Sequence, residues 1–394
     1  MSQTASLPYT ILQVIPELET GGAERAVVDV ARGIHSAGGT ALAASHGGPM
    51  VGEVVRAGGE HAALPLASKL PWVVWANARR IETLIRDRSV DLVHARSRAP
   101  AWSAWLACQR TGVPFVTTFH APYSITGKIK HRYNSVMAKG TRVIAISDHV
   151  ARHIHEHYDV PMARIATVPR GIDVKRFDDA CVSPDRMIAL AKRLGLPDDR
   201  RIILLPGRLT RWKGQTVFLN ALAKMQNADA FGLIVGSDQG RHAYRAELEA
   251  LAESLGLAGR VMIADHCADM PAAYKLAAVA VHTSIEPEGF GRTVVEAQSM
   301  GMPVIATALG GPSETVIDGQ TGWLVPPNDP ISLANRLDAT LDLSQSRLDT
   351  LRLAARQHVI DRFTVDRMVQ STLAVYRSVM AETPPTAQRP VAAA

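Results

Sequence analysis

Two carboxylates, Glu288 and Glu296, carry the strongest chemical signal in this sequence, within Glu286-Pro287-Glu288-Gly289-Phe290-Gly291-Arg292-Thr293-Val294-Val295-Glu296. The segment follows the apolar run Val279–Thr283 and opens a helical pattern that ends near Gly301-Met302-Pro303. Gly289 and Gly291 bare the backbone N–H groups of a helix start, where the dipole and unpaired donors attract an anion. Carboxylates beside such a mouth accept hydrogen bonds from hydroxyls, often in pairs. Together they suit a ligand that is anionic in its middle and hydroxyl-rich at both ends. The bland reading is a capping carboxylate plus a solvated helix residue, and alone the pair favours it.

A second element shifts that balance. Pro206-Gly207-Arg208-Leu209-Thr210-Arg211-Trp212-Lys213-Gly214 follows the apolar run Arg201–Leu205 and leads into a helical pattern. Arg208 as a fork and Lys213 as a point charge can clamp one diphosphate. Fixed cations stabilise the charge that develops on a departing nucleoside diphosphate. Arg211 and Lys213 read equally as exposed helix-start residues. Gly310-Gly311-Pro312-Ser313-Glu314 is a third glycine turn after a strand, expected to be ready for an anion. In the first half, Gly21-Gly22-Ala23-Glu24-Arg25 follows a strand and starts a helix, so its backbone can approach a phosphate closely. It is not G-x-G-x-x-G, and no dinucleotide fingerprint is present. His120, in Thr117-Thr118-Phe119-His120, ends a strand; a lone histidine is more often structural.

These residues need a frame that brings strand ends together. Short β-branched runs alternate with longer amphipathic stretches throughout, which means βαβ units and a parallel sheet. Strands are expected at Tyr9–Ile15, Thr40–Ser45, Asp91–His94, Pro114–Phe119 and Arg142–Ser147. The rhythm restarts with Arg201–Pro206, Phe231–Gly236, Arg260–Ala264, Val279–Thr283 and Pro303–Thr307. The expectation is two doubly wound α/β domains, residues 1–180 and 181–364. A helix over 365–381 crosses back to the first, and a Pro-rich tail spans 382–394. Ligands on such sheets bind beyond the carboxyl ends of the strands.

Composition narrows the classes. In 394 residues no run approaches the roughly 20 apolar residues that span a bilayer. Residues 1–8 lack a basic start followed by an apolar run, so a cytoplasmic protein is expected. Cys108, Cys181 and Cys267 are odd in number and far apart, against a disulfide framework or a cysteine metal site. The net charge of +6 is uneven: residues 1–180 hold 21 Lys+Arg against 15 Asp+Glu, and residues 181–394 hold 22 of each. The first half therefore faces something anionic or is merely solvated. No basic-aromatic motif accompanies the charge, so nucleic acid is not an expected partner. Lys128-Ile129-Lys130-His131-Arg132, just after His120, predicts peripheral contact with anionic lipid on the inner face of the cytoplasmic membrane.

In order and spacing these motifs resemble family 4 of the retaining glycosyltransferases, which have the GT-B fold. Glu288 and Glu296 look like its E-x7-E signature, and Arg208 with Lys213 like its diphosphate pair. Gly21-Gly22 resembles its N-terminal glycine loop, His120 its sugar-side histidine, and Pro169-Arg170-Gly171-Ile172-Asp173 its interdomain stretch. The resemblance runs from about residue 9 to residue 380. It implies two Rossmann-like domains facing across a cleft, the donor held by the second. It further implies that Glu288, in the loop with Gly289, holds donor-sugar hydroxyls with help from the N–H groups of Phe290 and Gly291. Glu296 would bind the ribose. Arg208, Lys213 and Gly22 would stabilise the diphosphate, and His120 would contact and orient the sugar. The implied reaction moves a hexose from a UDP- or GDP-sugar, with retention, to a glycan or lipid-linked acceptor, as in lipopolysaccharide or cell-surface polysaccharide synthesis. It implies no metal and no other cofactor. Arg170 stands where the family usually has Asn and is left out of the site. His266 and Cys267 lie in a loop that often borders the base, without naming it. Two alternatives stay open: a sugar-nucleotide 2-epimerase on the same fold, and a sugar-nucleotide-binding protein without turnover.

Overall fold

The computed structural model describes residues 6–383. They form two compact units, one running to Pro169 and resuming at Val365, the other Arg170–Thr364. The division falls ahead of the expected boundary at residue 180. Residues 170–180 belong with the second unit because Ile172 bridges to Thr364, its N–H donating to the Phe363 carbonyl at 2.9 Å. Arg356 also pairs with Asp178 at 2.5 Å.

In the first unit seven strands run parallel: β1 (Thr10–Val14), β2 (Thr40–Ser45), β3 (Gly59–Ala63), β4 (Leu92–Ala95), β5 (Phe115–Phe119), β6 (Arg142–Ala145) and β7 (Ile165–Thr167). Their order is β3-β2-β1-β4-β5-β6-β7. β4 and β5 are buried at every residue, as a parallel sheet covered on both faces requires. The helix Gly22–Ser36 turns Val27, Val30, Ala31 and Ile34 inward, at the spacing of one helix face. The helix Val365–Ala381 adds Val369, Leu373, Tyr376 and Val379 to the same core. Gly33 admits it, because a β-carbon there would overlap the Val369 side chain. Of the expected tail, Glu382 pairs with Arg142 at 2.6 Å, and residues 384–394 lie outside the described residues.

The second unit has six parallel strands: β8 (Arg201–Pro206), β9 (Ala230–Val235), β10 (Val261–Ala264), β11 (Val279–His282), β12 (Val304–Thr307) and β13 (Trp323–Val325), in the order β10-β9-β8-β11-β12-β13. The chain order reverses between β8 and β11, so the loops leaving these neighbours open a crevice at their carboxyl ends. In the first unit the same reversal sets β1 beside β4. Sequence pattern does not mark β3, β7 or β13. Gly59-Glu60-His61-Ala62-Ala63 lacks a β-branched run and becomes a strand only through its pairing with β2.

Candidate active site

The switch point of the second unit brings the two strongest motifs together. β8 delivers Arg208 and Lys213; β11, its hydrogen-bonded neighbour, delivers Glu288. The loops are stitched by the Thr283 hydroxyl, which donates to the carbonyls of Lys213 (2.9 Å) and Gly214 (3.1 Å), and by Ile285 N–H, which donates to Trp212 O (2.8 Å). Gly214 sits at φ +69°, and a β-carbon there would overlap the Thr283 carbonyl, so only glycine permits this approach.

Glu288 is held on one side only. Its Oε1 accepts from His282 Nε2 at 2.8 Å, from Ser284 Oγ at 2.7 Å and from Lys213 Nζ. Oε2 accepts from no described residue. Burial alone would raise this carboxyl, but the hydrogen bonds from His282 and Lys213, with the charge of Lys213, override it and hold the group well below the ordinary range. The Glu288 backbone is pinned as well: its carbonyl accepts from Gly311 N–H at 2.8 Å, and Gly310 at φ +66° lies against it. This corrects one expectation. The Gly310–Glu314 turn is not an open anion site, because the N–H groups of Gly311, Ser313 and Glu314 already donate to protein carbonyls.

The helix Arg292–Ser299 starts behind Gly289, Phe290 and Gly291, all buried. The backbone N–H groups of Phe290 through Thr293 meet no acceptor among the described residues, leaving the expected anion-ready helix start. Phe290 is fixed by an edge contact with Phe363 at 5.6 Å. Glu296 sits one turn into the helix. It accepts from Arg292 Nε at 2.8 Å and from the buried Tyr274 hydroxyl at 3.2 Å. Burial raises its pKa, only partly offset by Arg292 and Tyr274. Glu288 and Glu296 thus have separate partner sets. Arg208 is exposed, and its guanidinium has no partner among the described residues. Arg211 is spoken for by Glu247, with both contacts at 2.6 Å. Sequence reasoning missed His282 and Ser284. His282 closes the apolar strand and Ser284 lies two residues on, in the loop; the polar run His282-Thr283-Ser284 directly after Val279-Ala280-Val281 was the available signal.

In the first unit, His120 follows β5 and is half-buried. The Tyr123 hydroxyl is hydrogen-bonded to the His120 backbone, and burial pushes that phenol up to about 12. Beneath lies a polar network that sequence reading did not single out. Buried His94 lies between the Tyr376 hydroxyl (2.6 Å) and Thr118 Oγ1 (2.7 Å), and burial together with the charge of Arg96 lowers its pKa well below that of an ordinary histidine. Gly21 caps the helix Gly22–Ser36, and the Glu24 carboxylate folds back against it. A cavity of about 1100 Å³ is lined by Lys69, Arg98, Lys128 and Lys130 with Ser97 and Tyr133.

Two doubly wound units, one gathering a fixed carboxylate and cations at its switch point, define a glycosyltransferase of the GT-B class. A family model described as Glycosyltransferase Family 4 matches residues 20–176, and one described as Glycosyl transferases group 1 matches residues 188–358. The chain belongs to the family 4 glycosyltransferases and is a transferase enzyme. It is similar to the D-inositol 3-phosphate glycosyltransferase of Geodermatophilus obscurus, 32% identical over 76% of this chain and 69% of that one. The crystal structure of a glycosyltransferase from Rickettsia africae is 35% identical, with TM-score 0.87 over 95% of this chain and all of the other. The Anabaena protein HepE, solved with UDP and glucose, shares the fold at 23% identity and TM-score 0.81, over 94% of this chain and all of that one. Among the described residues no helix is long and apolar enough to cross a membrane.

Proposed function

We propose that this enzyme transfers a hexose from a UDP- or GDP-sugar, with retention, to an acceptor that carries an anionic group. The observation that carries the donor half is Glu288, saturated on Oε1 and open on Oε2, beside a free guanidinium and an open helix start. Sugar hydroxyls would donate to Oε2. Arg208, Lys213, the helix-start N–H groups and Gly22 would stabilise the departing diphosphate. Glu296 would accept from the ribose, and His120 would contact the transferred sugar. A same-face attack needs no protein nucleophile, since the leaving phosphate can take the acceptor proton.

On the acceptor side, four cations line one cavity, and relatives are named for a phosphorylated cyclitol. Both favour an acceptor bearing phosphate, whether a soluble polyol phosphate or a phosphorylated glycan lipid of the cell surface. A lipid-linked acceptor is supported by the cavity's surroundings. Leu70, Trp72 and Trp75 follow Lys69 in sequence, and Trp72 and Ile129 are 67% and 88% exposed. Exposed aromatics beside lysines are the composition of a surface that rests on anionic lipid at the cytoplasmic face. Labelled UDP-glucose and GDP-mannose, offered with inositol 3-phosphate or with phosphoglycolipid extracts, test the reading. Transfer with the anomeric configuration kept is expected; no transfer in any combination refutes it. Product analysis of donor alone separates transfer from 2-epimerisation. Co-sedimentation with anionic but not neutral vesicles, lost in W72S/W75S/I129S, is the expected membrane result; equal, negligible binding to both refutes that part.

A further inference from the structure

We propose that His282 is a positioning residue for Glu288: with Ser284 it occupies one carboxylate oxygen and turns the other toward the donor sugar. The proposal rests on Glu288 holding sugar hydroxyls, as read above, but its evidence is separate. His282 ends β11, a strand whose other residues are Val279, Ala280 and Val281, and it is 4% exposed. A histidine buried there replaces apolar contact with an obligation to find hydrogen-bond partners. It finds one on a single nitrogen. Nε2 lies 2.8 Å from Glu288 Oε1 and 3.2 Å from Ser284 Oγ. Nδ1 is buried and has no hydrogen-bond partner among the described residues. The tautomer that buries no orphan N–H therefore carries its proton on Nε2, donated to Glu288.

The geometry explains why a second donor is needed at all. Lys213 also reaches Oε1, but it hangs on a flexible stem and is the cation best placed to follow a diphosphate. An ammonium drawn to phosphate no longer fixes the carboxylate. His282 sits on a sheet strand, and Ser284 follows two residues later, with its carbonyl held by Thr307 Oγ1 at 2.9 Å. Their donors stay in place whatever Lys213 does. The carboxylate plane is then set by the sheet, and Oε2 keeps one direction through the reaction.

Two variants and a ligand-free measurement test this. His282→Leu keeps volume and removes the donor; His282→Gln returns an amide N–H near the position of Nε2. With UDP and UDP-glucose as probes, and GDP and GDP-mannose run beside them, His282→Leu should weaken binding of the sugar nucleotide about tenfold, the loss of one hydrogen bond's net contribution. Binding of the bare nucleotide should stay unchanged, and His282→Gln should recover most of the loss. A merely structural histidine would weaken both ligands alike and would not be rescued. In 15N-histidine spectra of the ligand-free protein, His282, assigned by its loss in the Gln variant, should show a protonated Nε2 and a bare Nδ1. The reverse tautomer, or wild-type sugar-nucleotide binding by His282→Leu, overturns the proposal while leaving the proposed function standing. A wild-type enzyme that binds none of the four probes overturns the functional reading and this proposal with it.

Discussion

Replacing Glu288 by Gln changes one atom and separates what the carboxylate does for the fold from what it does for the ligand. Three donors converge on Oε1, so the amide oxygen must take that place and the NH2 must take the place of Oε2. Two losses follow. The ion pair with Lys213 disappears, and Lys213, 13% exposed, keeps its charge without a counterion. Removing one partner of a fully buried pair costs about 3–5 kcal/mol; this ammonium can swing toward water, so about 2 kcal/mol is expected. For a unit of this size that lowers the melting temperature by about 4–8 °C. The second loss concerns function. Hydroxyls that would donate to Oε2 now face an N–H. A hydrogen bond to a charged group contributes about 1.5–3 kcal/mol, so kcat/KM for the sugar nucleotide should fall about a hundredfold. The assay is initial-rate transfer from the donor that thermal-shift screening identifies, with calorimetric binding of the matching nucleoside diphosphate alongside. Diphosphate binding should hold within about twofold. A variant that melts lower yet transfers sugar at the wild-type rate would refute the assignment of Oε2 to the sugar. So would an equal loss for the bare nucleotide.

Other outcomes follow from the same geometry. Arg208→Ala removes a guanidinium with no described partner, so stability should stay within about 0.5 kcal/mol while kcat falls about 10²–10³-fold, read by calorimetry and steady-state kinetics. Glu296→Gln should run the other way. Burial raises the folded pKa of Glu296, so its ionised form costs stability as pH rises through that pKa. The amide should therefore melt no lower than wild type at pH 7 while nucleotide affinity drops about tenfold. Tyr376→Phe strips a hydroxyl that His94 contacts in the buried core of the first unit, at about 1–3 kcal/mol in urea unfolding. His94 is depressed in the folded state, so its contribution is present above the ordinary value of 6.5 and fades as pH falls below it. The first unit should melt earlier at pH 5 than at pH 7, and less so in His94→Gln.

Most of the frame was legible because parallel strands buried on both faces must read as apolar runs, and those of β2 and β8 stand in the sequence with their observed limits. The motif loops were legible for a related reason. Glycine at Gly291 and Gly214 is dictated by local backbone geometry, and local geometry leaves its mark in residue type. What stayed hidden depends on contacts between distant residues. β3 is a strand only because β2 lies beside it. The Gly310-Gly311 turn looked like an anion site because sequence shows its glycines but not the Glu288 carbonyl they serve. The His94–Tyr376 pair joins β4 to a helix at the other end of the chain. His282 was concealed by its company: three apolar neighbours make the strand, and nothing local says that the fourth side chain finds a carboxylate.

Lys213 now has two calls on one ammonium, and the conflict is testable. In the ligand-free protein it neutralises Glu288. A bound diphosphate brings two or more negative charges within reach of the same flexible stem, and the stronger field wins. If His282 and Ser284 alone then hold Glu288, Lys213→Met should weaken binding of the bare nucleoside diphosphate and of its sugar conjugate by the same factor, since only the phosphate contact is lost. His282→Leu should instead weaken the conjugate alone. Combining the two should give additive losses, because the residues would act on different parts of the ligand. Strong non-additivity in the conjugate, with Lys213→Met erasing the effect of His282→Leu, would mean that Lys213 keeps its grip on Glu288 throughout. The diphosphate would then depend on Arg208 and the helix start for its positive charge.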